Sequence, residues 1–322
     1  QAVCRLAQLS RMNMEQKTKR DFYSEITNAI VADLEKGVRP WIKPWEGGDA
    51  IPVRPLRITG EPYRGINILL LWSAAHQRGF RSDYWLTYQQ ARHQGGHIRQ
   101  GEKSTTVVFS GTLTRTEQDD DGEEQEKVIP FLKAYSVFNV DQTEGLPEKY
   151  LAPAAVMPKR HDNARHAVAE QFVANTKADV CYGGDRASYS PLEDRIYMPN
   201  LDRFKESDGF YGTLLHELTH WTMRDERCPR KFRPSIFGTA NYAREELVAE
   251  LGAAFLCADL RISLTPRADH ADYIANWLEV LRNDKRAIFQ AAATAQRAAD
   301  FLHSLQRSES TEGPDLSLRK IA

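Results

Sequence analysis

The sequence contains few cysteines, and no two of them have the spacing of a metal or redox pair. Its 322 residues include Cys4, Cys181, Cys228 and Cys257, with no Cys-x-x-Cys motif. This excludes the usual zinc knuckle and the redox dithiol as interpretations. We expect reduced thiols in a cytosolic protein, with Cys228 and Cys257 buried and chemically inert.

Long apolar runs are also lacking. No stretch approaches the roughly 20 apolar residues that a membrane helix needs. Residues 1–13 contain no apolar block of the kind that marks a secretory signal. The expectation is a cytoplasmic protein without a membrane partner, and we start its first domain at Met14.

The chain has almost no net charge, but its charges are unevenly distributed. The formal value is −1, whereas residues 39–103 carry ten Lys or Arg against five acids, a balance of +5. Residues 117–126 then place seven acids within ten positions. The basic region is a candidate for nucleic-acid binding, and the acidic run is typical of a solvated loop.

Hydrophobic periodicity predicts an α+β fold in two domains. Helices are predicted at 21–36, 66–79, 87–94, 162–176, 208–223 and 242–260, and over 273–305 with a break near Asn283. Strands are predicted at 104–114 and 128–140, as a hairpin, and near Val180, Ala187 and Ile196. Prolines cluster around residues 147–158. We therefore predict a first domain at 14–145, a linker at 146–160, a second, mainly helical domain at 161–307, and a tail at 308–322.

The segment His216-Glu217-Leu218-Thr219-His220 carries the clearest chemical signal. Two histidines four residues apart share one face of a helix, so both imidazoles can reach a single ion. Glu217 lies roughly 100° around the helix, where it can act as general base on a water whose pKa zinc lowers towards about 7. The pattern predicts a zinc-dependent hydrolase, although Mn²⁺ or Co²⁺ would suit the same donors.

A third ligand must come from elsewhere in the chain. A metzincin would have glycine at 223 and histidine at 226, where this chain has Met223 and Glu226. The segment from Glu245 to Glu250 resembles instead the second ligand helix of gluzincins. That resemblance implies Glu246 as the third ligand and Glu250 as the carboxylate behind a ligand histidine. The swapped assignment of these two acids stays open. Four tyrosines are candidates for polarising a scissile carbonyl, namely Tyr189, Tyr197, Tyr211 and Tyr242.

Aromatic residues are interleaved with the basic residues of the N-terminal region. Residues 39–103 hold four of the six tryptophans. Exposed rings can stack on unpaired bases while basic groups follow the phosphates. Composition alone is explained at least as well if the aromatic side chains form the core of the domain and the arginines form its solvated face.

Several motifs resemble the ArdC antirestriction proteins. In the N-terminal region they are Pro62-Tyr63-Arg64-Gly65-Ile66-Asn67, Trp85-Leu86-Thr87-Tyr88-Gln89-Gln90-Ala91, and Gly95-Gly96 followed by Gly101-Glu102-Lys103-Ser104. In the C-terminal region they are the two segments around His216 and Glu246. The resemblance spans about residues 20 to 260, and its N-terminal part is shared with TraC-type plasmid primases.

The resemblance implies a plasmid-encoded bacterial protein that shields entering DNA from the restriction enzymes of the recipient cell. It implies a single-stranded-DNA-binding domain followed by a zincin-like metallopeptidase domain, with Arg64, Lys103, Tyr63, Trp85 and Tyr88 as candidate DNA contacts. The resemblance does not identify the protein substrate, for which a component of the restriction system is one candidate. Two alternatives stay open: a strand-coating protein whose metal is structural, and a hydrolase acting on phosphate.

Overall fold

The computed structural model describes residues 20–41, 53–118, 124–151, 165–230, 239–263 and 270–306, which form an α+β protein, as predicted. The helices are α1 (Phe22–Glu35), α2 (Ile66–Arg78), α3 (Tyr88–His93), α4 (Glu148–Leu151), α5 (Ala167–Thr176), α6 (Ser207–Trp221), α7 (Ala240–Leu260), α8 (His270–Asn283) and α9 (Ala287–Ser304). The strands are β1 (Leu56–Arg57), β2 (Tyr84–Leu86), β3 (His97–Ile98), β4 (Thr105–Gln118), β5 (Glu124–Asn139), β6 (Thr143–Glu144), β7 (Asp179–Tyr182), β8 (Ser188–Ser190) and β9 (Arg195–Met198). None of these helices combines the length and the apolar character needed to cross a bilayer.

Local signals determine where the N-terminal helices begin and end. The side chain of Asp21 caps α1 by accepting a hydrogen bond from the backbone N–H of Ser24. α2 ends at Gly79, whose φ of 69° is the left-handed conformation that suits glycine. Thr87 and Gln90 form a capping box at the start of α3. These signals are visible in the sequence, which is why the predicted bounds of these three helices are confirmed.

A long hairpin dominates the N-terminal sheet. The strand order is β1-β2-β5-β4, with β1 parallel to β2 and the other pairs antiparallel. The β4–β5 ladder runs from Thr105↔Val137 to Gln118↔Glu124, further towards the acidic run than predicted. Backbone hydrogen bonds continue a ladder whatever the polarity of the exposed side chains, so charge alone does not end it. Residues 119–123, at the tip, lie outside the described residues.

In the C-terminal region, α6 lies between a small sheet and α7. The sheet has the order β7-β9-β8, with β7 parallel and β8 antiparallel to β9. α6 contacts β8 and β9 as well as α7. Every residue from Phe210 to Trp221 is buried. Polar side chains in this helix are therefore inside the protein, where each needs a partner.

The N-terminal and C-terminal regions share one hydrophobic core. α1 packs against α8 and α2 against α9, and their buried side chains belong to a single cluster. Ion pairs cross the same boundary, including Arg54 with Asp259 at 2.6 Å and Lys285 with Asp21 at 2.6 Å.

Part of the predicted linker is folded. Leu146 and Tyr150 are buried in a smaller cluster with Leu86. The rest of the linker, residues 152–160, and the predicted tail, residues 308–322, lie outside the described residues. The predicted domain ranges therefore stay a prediction.

Candidate metal centre

The histidines of α6 face one carboxylate of α7. Nε2 of His216 lies 3.5 Å from Oε2 of Glu246, and Nε2 of His220 lies 3.6 Å from Oε1 of the same residue. One ligand atom from each of the three side chains lies within 4.8 Å of the other two, and all three residues are buried. Two imidazole nitrogens and a carboxylate oxygen form the donor set of a catalytic zinc site, in which a fourth position stays open for water or substrate. These residues thus fit a divalent ion.

Each imidazole also has a second carboxylate behind it. Nδ1 of His220 lies 3.2 Å from Oε1 of Glu245, and Nδ1 of His216 lies 3.7 Å from Oε2 of Glu250. A carboxylate at the far nitrogen fixes the orientation of a ligand histidine and makes it more basic. Because Glu246 faces both Nε2 atoms and Glu250 faces only an Nδ1, the geometry favours Glu246 as the ligand over the swapped assignment.

Glu245 and Arg230 are residues of this centre that sequence reasoning missed. Nε of Arg230 lies 2.9 Å from Oε2 of Glu245, and both side chains are only 2% exposed. The same guanidinium donates to the backbone carbonyl of Thr219 at 3.0 Å, next to His220. Glu245 precedes the predicted ligand by one residue and therefore points about 100° away from it. No periodicity pointed to Arg230, which lies outside the predicted helices.

Two carboxylates of the centre, those of Glu245 and Glu246, have lowered pKa values. Burial raises the pKa of Glu246, but the facing His216 and His220 lower it by more than burial raises it. The resulting pKa is about 2. Burial likewise raises the pKa of Glu245, while its hydrogen bond with His220 and the charge of Arg230 leave the pKa below the usual value. Both groups are therefore anionic at neutral pH, as a cation site requires.

Glu217 is buried on α6 between the two histidines. Its side chain is 4% exposed. Shielding from bulk water strengthens the interactions of a carboxylate with a nearby proton donor or cation.

Of the four candidate tyrosines, Tyr242 lies nearest to the centre. Its hydroxyl lies 3.3 Å from that of Tyr273, and its pKa is raised by burial, by that hydrogen bond and by the neighbouring Glu246. The hydroxyls of the other three donate to carboxylates elsewhere, in the pairs Tyr189–Asp194, Tyr197–Glu193 and Tyr211–Glu170.

The cysteines within the described residues lie outside the group of candidate metal-binding side chains. Cys228 and Cys257 are buried free thiols, as predicted. Burial raises the pKa of the Cys257 thiol, which keeps it protonated and unreactive.

Two of the candidate DNA contacts have buried side chains. Trp85 is 1% and Tyr63 7% exposed, so neither ring offers a free face to a base. Both belong to the hydrophobic core, to which a large ring contributes much apolar area. Arg64 is exposed but pairs with Asp300 of α9.

Two other candidates stay accessible. Tyr88 is 52% exposed, and Lys103 is exposed as well. Nη1 of Arg78 donates to the backbone carbonyl of Lys103 at 2.7 Å, so two exposed basic residues lie together there.

Comparison with known proteins assigns both regions. Residues 20–138 match the family model for the N-terminal domain of the anti-restriction factor ArdC, and residues 167–294 match that for a zincin-like metallopeptidase. The metal-free crystal structure of the antirestriction ArdC protein from plasmid R388 is 43% identical, with a TM-score of 0.76, covering 89% of this chain and 98% of that one. This chain belongs to the ArdC family. The resemblance inferred from the sequence motifs is confirmed.

Other members and relatives extend the comparison. The Mn(II)-bound structure of the R388 ArdC protein is 41% identical, with a TM-score of 0.75, covering 90% of this chain and all (100%) of that one. The uncharacterized protein y4eC of Sinorhizobium fredii is 38% identical over 90% of this chain and 94% of its own length. Two DNA primases TraC of Escherichia coli are 33% and 31% identical, but the chain spans only 28% and 21% of their length. Membership of the zincin-like class implies a divalent metal ion, as in the Mn(II)-bound ArdC.

Proposed function

We propose that this ArdC-family protein binds single-stranded DNA and hydrolyses peptide bonds with a divalent metal, Zn²⁺ or Mn²⁺, and that it thereby protects entering DNA from restriction. The observation that carries the peptidase part is the convergence of His216, His220 and Glu246 within 4.8 Å. The buried Glu217 lies on the same helix. The zincin-like match over residues 167–294 supports the same chemistry.

The proposed mechanism gives the residues of the centre separate roles in binding the metal and in transferring a proton. His216, His220 and Glu246 would hold a divalent ion, which when bound would supply Lewis-acid activation of a water molecule and of the peptide carbonyl. Glu217 takes a proton from the attacking water and delivers it to the leaving amine. β8 is the edge strand of the sheet beside α6, so an extended peptide can add to it by main-chain hydrogen bonds.

The proposal of DNA binding rests on the match of residues 20–138 to the ArdC N-terminal domain. The similarity of this chain to the TraC DNA primases supports it. Lys103 and Arg78 offer charge to a phosphate, and Tyr88 offers an exposed ring for stacking. We infer that the DNA contacts lie among these residues rather than at Tyr63 and Trp85.

The peptidase proposal is tested with Glu217→Gln, which keeps the shape of the side chain but removes the base. We expect the rate of cleavage of a casein-type substrate to fall by about 10² to 10⁴-fold, with metal affinity retained. The matched control is Glu226→Gln, an exposed acid shortly after α6, which should retain activity. A chelator should abolish cleavage in wild type.

Conjugation into restricting and non-restricting hosts then relates the chemistry to protection. If Glu217→Gln loses protection in the restricting host, proteolysis is required for it. If the variant protects fully, proteolysis is not required for protection, which supports the strand-coating alternative. Cleavage of DNA by wild type would instead support the phosphate hydrolase. Among the described residues, however, His216, His220 and Glu246 form the one group of metal-binding side chains found, and no second metal site adjoins it.

The DNA proposal is tested by binding of an unstructured oligonucleotide. Tyr88→Ala should weaken binding by about 1–3 kcal/mol, and Lys103→Ala should reduce the salt dependence of binding. Tyr182→Ala serves as the control, because Tyr182 is a similarly exposed tyrosine of the C-terminal region, 54% exposed. Equal affinities of all three variants and wild type would refute this placement of the contacts.

A further inference from the structure

Two side chains of the N-terminal region reach the surroundings of the metal centre. Nε1 of Trp41 lies 3.3 Å from Oε1 of Glu250, and Nη1 of Arg39 lies 3.8 Å from the same oxygen. The other oxygen of this carboxylate, Oε2, faces Nδ1 of His216 at 3.7 Å. A single carboxylate therefore lies between the N-terminal segment and one of the candidate ligand imidazoles.

This arrangement is buried. Trp41 is 2% exposed, and the side chains of Arg39 and Glu250 are 12% and 5% exposed. Away from water, a carboxylate orients towards the donors that the protein provides, because it has no solvent to replace them. The indole N–H of Trp41 donates a hydrogen bond to Oε1 of Glu250, and the guanidinium of Arg39 forms an ion pair with the same oxygen. The other oxygen, Oε2, is directed at His216.

Packing determines the direction of the indole N–H. The ring of Trp41 meets that of Trp277 in an edge-to-face contact, with centroids 5.8 Å apart and planes at 67°. Trp277 belongs to α8 and is itself buried. The ring that carries the donor is thus held against a buried aromatic neighbour.

We propose that Trp41 and Arg39 are positioning residues of the metal centre. By holding one oxygen of Glu250 they keep the other facing Nδ1 of His216, which leaves Nε2 of that ring directed towards Glu246 and available to the ion. This inference rests on the metal site of the proposed function. Trp41 lies in the part of the chain that matches the ArdC N-terminal domain, and Glu250 in the part that matches the zincin-like domain. The two domains thus complete one metal centre together.

The test is metal affinity of the full chain, measured by calorimetric titration of the metal-free protein with Mn²⁺. Trp41→Phe keeps the aromatic ring and removes the N–H donor. Trp72→Phe is the matched control, because it removes an indole N–H that donates to the backbone carbonyl of Val53 at 2.9 Å, in the same core. We expect Trp41→Phe to raise the dissociation constant about 10-fold, the lower end of the range for partners of metal ligands. Arg39→Met should act in the same direction, and Trp72→Phe should change the constant by less than about twofold.

A double-mutant cycle separates positioning from general loosening of the core. In a Glu250→Ala background, Trp41→Phe should raise the dissociation constant for Mn²⁺ by less than about twofold, because the carboxylate through which Trp41 acts has been removed. The inference is overturned if Trp41→Phe binds Mn²⁺ as wild type does, if Trp72→Phe weakens binding equally, or if Trp41→Phe keeps its full effect without Glu250. Should Glu250→Ala fail to fold by circular dichroism, the comparison of the two tryptophan variants decides.

The same titration distinguishes this inference from the function on which it rests. If wild type binds neither Mn²⁺ nor Zn²⁺, the metal site itself is wrong. If wild type binds and Trp41→Phe binds equally well, the metal site stands and only the positioning role fails.

Discussion

At the scale of single residues, the geometry of the candidate metal centre depends on groups outside the proposed ligand set. Glu245 holds His220, and Arg230 holds Glu245 while also binding the end of α6 through the carbonyl of Thr219. A buried pair of this kind adds little net stability when complete, but removing one partner leaves an unpaired charge inside the protein.

Glu245→Gln is therefore expected to lower the free energy of unfolding by about 3 kcal/mol, the lower end for a broken buried pair, since glutamine keeps one acceptor. Urea denaturation measures this. Asp179→Asn is the control: it breaks the exposed pair with Arg195, whose side chains are 56% and 41% exposed, and should cost less than about 1 kcal/mol. Equal costs for the two variants would contradict the role assigned to Glu245.

The same pair predicts a direction for the pH dependence. The pKa of Glu245 in the folded protein lies below 4.5. Its contribution to stability is therefore complete above pH 4.5 and is lost as the pH falls through the folded pKa. Glu245→Gln should reduce this acid sensitivity.

At the scale of elements, the site depends on the close approach of α6 and α7. Gly252 of α7 faces Thr219 of α6, and a Cβ at position 252 would lie 2.5 Å from Cγ2 and 2.7 Å from Oγ1 of Thr219. That threonine cannot turn aside easily, because it is fully buried and its hydroxyl donates to the carbonyl of Leu215 at 2.8 Å. Glycine at this position lets the two ligand-bearing helices pack closely.

Gly252→Ala should consequently force the helices apart, with a loss of about 1–3 kcal/mol of stability and weaker Mn²⁺ binding. Thermal unfolding and calorimetric titration measure the two effects. Gly209→Ala is the matched control within α6, where the nearest atom to an added Cβ is Cδ1 of Phe204 at 3.8 Å. There the substitution should leave stability unchanged or raise it by about 0.4–1 kcal/mol. A Gly252→Ala protein as stable as wild type would show that the contact with Thr219 does not limit how closely α6 and α7 can pack.

At the scale of the whole molecule, the shared core predicts one cooperative unit rather than two independent domains. Helices α1 and α2 pack against α8 and α9, and the partly buried ion pair of Arg54 and Asp259 crosses the same boundary. Separating the regions would expose apolar surface on both sides, which disfavours partial unfolding.

We expect a single thermal transition, with far-ultraviolet circular dichroism and tryptophan fluorescence changing together and with equal calorimetric and van't Hoff enthalpies. Arg54→Met should lower the melting temperature of that one transition. Arg57→Met, which breaks an exposed pair with Glu61, should have little effect. Two resolved transitions in wild type would refute the cooperative unit.

Local patterns in the sequence were sufficient to predict the main helices and the hairpin, and to single out the candidate metal-binding segment. Capping residues such as Thr87, the glycine at 79 and the four-residue spacing of His216 and His220 act through neighbours a few positions away, so they can be recognised without the fold. Motifs over residues 20–260 were specific enough to indicate the ArdC family, which the comparisons confirm.

Other features were decided only when distant segments met. The burial of Trp85 shows that it belongs to the core and is not a stacking surface. The contacts of Glu250 with Trp41 and of Glu245 with Arg230 join residues far apart in the chain. Composition was compatible with both roles for the tryptophan, because a large ring is equally suited to a core and to a nucleobase. Side-chain burial is a property of the packed molecule, and no short-range spacing encodes it.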